Sequence, residues 1–221
     1  MNSSHYFTVF FIFALALCTV SCSPKLNPTI QSSANYHEQI QKYWEDRFNG
    51  FYSDPSFPLN ASDSEFLSYF KPDADYQVEA RVELLIGEQP FQMPTYAGTT
   101  AEYICYGTAE FQIGDGPITQ LTLYRSTRLF TNPMYRNHLF VPFLDETNGD
   151  LTYGGGRYLD LSIDDIKEGK MIIDFNKAYN PLCAYSGGYR CPIPPIENHL
   201  SIAIMAGELN YTGTIKERPN P

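Results

Sequence analysis

The apolar positions of the chain change period twice. From Tyr6 to Val20 (YFTVFFIFALALCTV) they are nearly continuous and no charge interrupts them. From Asn35 they recur at steps of three and four, as Ile40, Tyr43, Trp44, Phe48 and Phe51, which is one face of a helix. Asn35 with Glu38 supplies a start signal, and Gly50 supplies a stop. Ser62-Asp63-Ser64-Glu65, ahead of Phe66, Leu67 and Phe70, predicts a second, shorter helix that must end before Lys71-Pro72. Trp44, the only tryptophan, reads as a core anchor of the first helix.

After Pro72 the period is two. Tyr76–Leu84 alternates Tyr, Val, Ala, Val and Leu with Gln, Glu, Arg and Glu, the pattern of a strand with one wet face. Tyr103–Ile113 alternates in the same way, and Gly114-Asp115-Gly116 turns it into Ile118–Arg125. Leu139–Leu144 followed by Asn148-Gly149 marks a second hairpin. Lys170–Phe175 and Leu200–Ala206 complete the strand candidates, and Ser162–Glu168 reads as one or two helical turns closed by Gly169. Two helices followed by at least seven short strands predict a mainly β fold over residues 35–215. The expected architecture is a single antiparallel β-barrel or sandwich-like domain, with one or two N-terminal helices packed outside.

The apolar run at the start has a different meaning. Fifteen helical residues span only about 22 Å, short of a hydrocarbon core of ~30 Å, so the run fits a secretory leader better than a membrane span. Thr19-Val20-Ser21-Cys22 resembles a bacterial lipobox, in which the Cys is acylated and becomes the mature N-terminus. The alternative is an ordinary signal peptide cut near Cys22, and export follows from either. The expected layout is a lipoprotein signal peptide at 1–21, lipid on Cys22, a polar tether at 22–34, and then the folded domain. A membrane partner through that anchor and a location in the bacterial cell envelope, facing the outer membrane or periplasm, are expected with it.

Composition narrows the classes. Fifteen basic and 25 acidic side chains in 221 residues leave a net charge of −10, which argues against a nucleic-acid partner and against a protein held on anionic lipid by basic residues. Aromatics at 15% argue against a disordered chain. Five Cys are too few for a disulfide scaffold. The chain carries no G-x-S-x-G elbow, H-E-x-x-H, Walker loop, haem motif or dinucleotide fingerprint.

The informative stretch is Lys177 to His199 (KAYNPLCAYSGGYRCPIPPIENH), too long and too rich in Pro, Tyr and Cys to serve only as a strand connection. It is preceded by Tyr153-Gly154-Gly155-Gly156-Arg157-Tyr158-Leu159-Asp160 and by Asp174-Phe175-Asn176, and followed by Ala206-Gly207-Glu208. Together these residues resemble the prokaryotic domain-of-unknown-function family 1684, most specifically over residues 139–208. Trp44, Arg47 and Tyr124-Arg125 fit more loosely upstream. The resemblance implies a family and no activity.

Several chemistries are open to these residues. In an exported chain Cys183 and Cys191 fit a disulfide that stiffens the loop. Zinc on Cys183, Cys191, His199 and one carboxylate is a minor alternative that lacks the usual tight ligand pairs, and no cofactor is otherwise expected. A Cys183 thiol served by His138 or His199 is a further option. Gly154–Gly156 with Arg157 could cradle an anion, or could simply bend the chain. Asp160, Asp174 and Glu197 could supply an acid–base pair, or salt bridges to Arg157. Asn176, Asn180 and Asn198 with Tyr179, Tyr185 and Tyr189 suit a sugar or other polar neutral ligand, or a loop that satisfies its own backbone. The expected site therefore comprises Arg157, Asp160, Asp174, Asn176, Tyr179, Asn180, Tyr185, Glu197 and Asn198. Arg157 is expected to point into a cleft walled by the 177–199 loop, within reach of Asp160 or Asp174. The expected function is a binding or accessory module for a small polar ligand or envelope glycan; the alternative is a carboxylate-based hydrolase, with or without a metal.

Overall fold

The structure is a computed structural model that describes residues 33–52, 54 and 57–217. The expected leader, Cys22 and the tether up to residue 32 lie outside the described residues. Helix α1 (Ser33–Tyr52) buries Tyr36, Ile40 and Trp44, each four residues from the last. Seven antiparallel strands follow: β1 (Gln77–Leu84), β2 (Phe91–Pro94), β3 (Thr100–Gln112), β4 (Ile118–Ser126), β5 (His138–Phe143), β6 (Arg157–Ser162) and β7 (Lys170–Asp174). They form one curled half-barrel sheet in the order β6-β5-β4-β3-β1-β7, with β2 paired to the first residues of β3. The fold is mainly β, as expected, with one N-terminal α-helix among the described residues.

Strand alternation gives the sheet two working faces. Val78, Ala80 and Val82 of β1, Leu121 and Leu123 of β4, Leu139, Val141 and Phe143 of β5, and Met171 and Ile173 of β7 point into the main core. On the other face, Met93, Tyr103, Tyr124, Phe140 and Tyr158 form a separate aromatic cluster. Cys105, between them, is a free thiol that is only partly buried.

Three local expectations are corrected. The second helix is a short 3-10 helix, Ala61–Phe66, capped by Asn60 with Asp63 returning the bond. It goes no further because the backbone of 68–70 pairs with 207–209: Phe70 N–H donates to Gly207 O at 2.9 Å and Leu209 N–H to Ser68 O at 2.9 Å. Leu200–Ala206 is not a strand. The carbonyls of Ile204 and Ala206, which a neighbouring strand would engage, accept from the Arg157 guanidinium instead. Asn148-Gly149 does turn the chain, with Gly149 at φ +85°, but inside a long connection between β5 and β6 rather than a two-residue hairpin. Two strands, β2 and β6, have no counterpart among the expected ones; two prolines, Pro90 and Pro94, and a triple glycine mask them.

Candidate functional site

Strand β6 decides which residues share a site. Arg157 and Leu159 point into the core, so Tyr158 and Asp160 must face the other way. There they meet Phe140, the register partner of Asp160 on β5, and His138 two residues earlier. This face, α1 and the 179–192 part of the loop enclose a cavity of about 490 Å³. Trp44, Phe48 and Phe51 line it from the helix, Tyr103, Phe140 and Tyr158 from the sheet, and Tyr179, Leu182, Tyr185 and Pro192 from the loop. The loop is held in place by β2: Ile193 N–H donates to Pro94 O at 2.9 Å and Tyr96 N–H to Cys191 O at 3.0 Å. Cys183 and Cys191 are joined by a disulfide, with Cα atoms 6.3 Å apart.

A polar group interrupts the aromatic wall. The Arg47 guanidinium lies over the Tyr179 ring, 3.6 Å from its centroid, and 3.7 Å from Asp160 Oδ2. Asp160 Oδ1 accepts from Tyr179 Oη at 2.8 Å and pairs with His138 Nε2 at 2.9 Å. Burial alone would raise the Asp160 pKa, but the His138 hydrogen bond and the Arg47 charge outweigh it and hold the carboxyl below its usual range. Tyr179 moves the opposite way: burial, with Asp160 beside it, pushes the phenol well above its ordinary value.

Glu208 completes the lining. It is 1% exposed; Oε2 accepts from the Asn180 N–H at 2.9 Å and Oε1 from Tyr185 Oη at 2.5 Å. Burial raises its pKa to about 7, although both hydrogen bonds and the Arg47 charge pull it back. The cavity thus holds two carboxyls whose surroundings drive them apart. Asn180 Oδ1 and His138 Nδ1 are buried and meet no hydrogen-bond partner among the described residues.

Of the nine expected site residues, Asp160, Tyr179, Asn180 and Tyr185 line the cavity. Arg157 does not. It is fully buried in the core, donating to Asp145 Oδ2 at 2.7 Å, to Ile204 O at 2.9 Å and to Ala206 O. Its carboxylate partner is Asp145, not Asp160 or Asp174, and no face opens to a cleft. The glycines before it form a tight bend: a Cβ on Gly156, at φ +87°, would lie 2.6 Å from Phe143 O. Asp174 and Asn176 fasten α1 to the body, since Tyr36 Oη donates to Asp174 at 2.8 Å and receives from Asn176 Nδ2 at 2.7 Å. Asn198 pins the loop to β4 and β5 through Thr122 and Pro142. Glu197 accepts from Tyr124 Oη at 2.7 Å. With their sulfurs bonded to each other, Cys183 and Cys191 offer neither a nucleophile nor zinc ligands. Among the described residues no group of three or more His, Cys, Asp and Glu side chains is placed to hold a metal ion.

The family model described as a protein of unknown function, DUF1684, matches residues 63–209, more than half of the chain. The chain belongs to the DUF1684 family. A solution NMR structure of an uncharacterized protein of Haloarcula marismortui is similar, with 34% sequence identity and a TM-score of 0.56. The match covers 78% of this chain and 97% of that one. A search of the curated proteins finds no match.

Cavity residues of this DUF1684 chain outside the expected nine include Trp44, Arg47, His138 and Glu208. Arg47 carried a signal. It sits three residues after Trp44 and four before Phe51, a charge placed on the apolar stripe of an amphipathic helix. Glu208 lay within the family motif Ala206-Gly207-Glu208, but nothing local marked it as buried.

Proposed function

We propose that this DUF1684 domain binds a small molecule with a flat, largely apolar body and one polar edge. One observation carries the reading: a cavity of about 490 Å³, walled mainly by aromatic side chains, with Arg47, Asp160 and His138 converging at one place. Pockets of this volume, with apolar walls and a few polar groups, are the usual form of small-molecule sites. Aromatic faces stack on rings, including the apolar faces of sugar rings, which keeps an envelope glycan fragment within the ligand class. The opposed pKa shifts of Asp160 and Glu208 do not by themselves favour the carboxylate-based hydrolase alternative. The binding reading is preferred because both Glu208 oxygens and Asp160 Oδ1 are already engaged by neighbouring protein groups. We further propose that the chain is exported and lipid-anchored at Cys22 in the bacterial cell envelope. The first 22 residues support this, and so does the disulfide, a bond that is common in oxidising compartments.

Trp44 lines the cavity and is the only tryptophan, so its fluorescence reports on the site. Titration with anilinonaphthalene sulfonate, a flat apolar probe with one charged edge, should quench Trp44 saturably at one probe per chain. Ser126→Phe, which places a ring in the cavity, should weaken binding at least about ten-fold. Binding unchanged by that substitution, or absence of Trp44 quenching, overturns the site. For the anchor, Cys22→Ser should release the protein from membranes; continued sedimentation after leader cleavage overturns that part.

A further inference from the structure

We propose that the rim of the cavity, formed by residues 127–137 and by Arg190, docks on an anionic lipid bilayer. The net charge of −10 opposes docking on anionic lipid by the chain as a whole, so the local charge distribution comes first. The chain has 25 acidic residues, yet residues 116–144 and 175–196 contain none, and these are the two longest acid-free stretches after Glu38. Both reach the same cavity, the first through Leu129 and Tyr135, the second through Tyr189 and Arg190. Arg128, Arg136 and Arg190 are exposed, and among the described residues their guanidinium groups make no ion pair. Asp164 accepts from the Asn137 amide at 2.8 Å, Glu102 from the Gln92 amide at 3.1 Å, and Asp160 pairs with Arg47 and His138, so none of the three is paired with these arginines.

The shape of the rim is the second observation. At its tip Met134 is 81% exposed and Tyr135 41%. This exposure is held by structure: Asn132 Oδ1 accepts from the Met134 N–H at 3.1 Å, and Arg125 Nη2 donates to Arg136 O at 2.7 Å. An apolar tip ringed by arginines matches a bilayer interface, where Met and the Tyr ring enter the headgroup boundary and the cations meet anionic phosphates. An acidic protein partner is the poorer fit, because two exposed apolar side chains are far from the apolar centre of an interface of about 800 Å² per partner. Docking in this way turns the cavity mouth toward the membrane. The surface stands on exposure and charge, whatever occupies the cavity.

The test is co-sedimentation of the chain from Ser23 onward, which lacks both the apolar leader and Cys22, so that neither the leader nor an acyl chain contributes. The vesicles are phosphatidylcholine alone, or phosphatidylcholine with about a quarter phosphatidylglycerol. Preferential binding to the anionic vesicles is expected, falling as salt rises. Each surface arginine should be worth about five-fold, so Arg128→Ser with Arg136→Ser should weaken binding about 25-fold. Met134→Ser should weaken it without a change in charge. Probe binding in the cavity should survive in the arginine variant, which shows that it is folded and keeps the cavity reading apart from this one. Equal binding to both vesicles, no effect of the paired arginine substitutions, or arginine-dependent recovery of an acidic protein without vesicle binding overturns the proposal.

Discussion

Glu208→Gln should make the protein more stable at neutral and alkaline pH, and the gain should vanish in acid. Glu208 is 1% exposed and its pKa rises from 4.5 to about 7, with burial the main cause. Between those values the folded chain keeps a proton that the unfolded chain releases. Stability is therefore full below about pH 4.5, falls as pH rises, and levels off above about pH 7. At about 1.4 kcal/mol for each pKa unit, the whole fall amounts to about 3 kcal/mol. Glutamine reproduces the protonated carboxyl: its oxygen can accept from the Asn180 N–H while its amide donates to Tyr185 Oη, and it never ionises. Urea unfolding followed by Trp44 fluorescence measures the difference directly, since every other titrating group is common to both proteins. Near pH 5 the two should agree within about 1 kcal/mol, and near pH 8 the variant should lead by about 3 kcal/mol. A difference independent of pH would refute the reasoning. So would a wild-type advantage that grows with pH, because it would mean that Arg47 stabilises an ionised Glu208.

Arg157→Met should leave Asp145 buried without its cation and cost about 3–5 kcal/mol in denaturant unfolding, while the folded fraction binds the cavity probe as before. Reduction of the Cys183–Cys191 disulfide should lower stability by about 2–3 kcal/mol, read from unfolding midpoints with and without reductant. It should also weaken probe binding, because Cys191 and Pro192 form part of the cavity wall. Gly207→Ala should cost more than about 1–2 kcal/mol in the same assay: φ is +85°, and a Cβ would lie 2.6 Å from Ala178 O and 2.8 Å from Phe175 O.

How much of this was legible in the sequence depended on whether the controlling interactions were local. The alternation in Tyr76–Leu84 and Tyr103–Ile113 reports a face buried along the whole strand, so β1 and β3 could be read to within a few residues. Phe66, Leu67 and Phe70 mimic a helix, but the pairing of 68–70 with 207–209 lies about 140 positions away and no local pattern registers it. Leu200–Ala206 mimics a strand for a similar reason, since an arginine side chain supplies the donors that a strand would. The misplaced Arg157 is different, because the period that revealed β1 also applies to β6. Residues three apart on one strand lie on opposite faces, so Arg157 and Asp160 could not share a cleft once 157–162 was seen to be extended. The three glycines before it disguised that strand as a loop. The residues that define the cavity are therefore the charges that contradict their own surroundings. Arg47 stands in an apolar stripe and Glu208 in a buried bridge to Tyr69, and such a charge is retained only where something in the fold, or something bound to it, answers it.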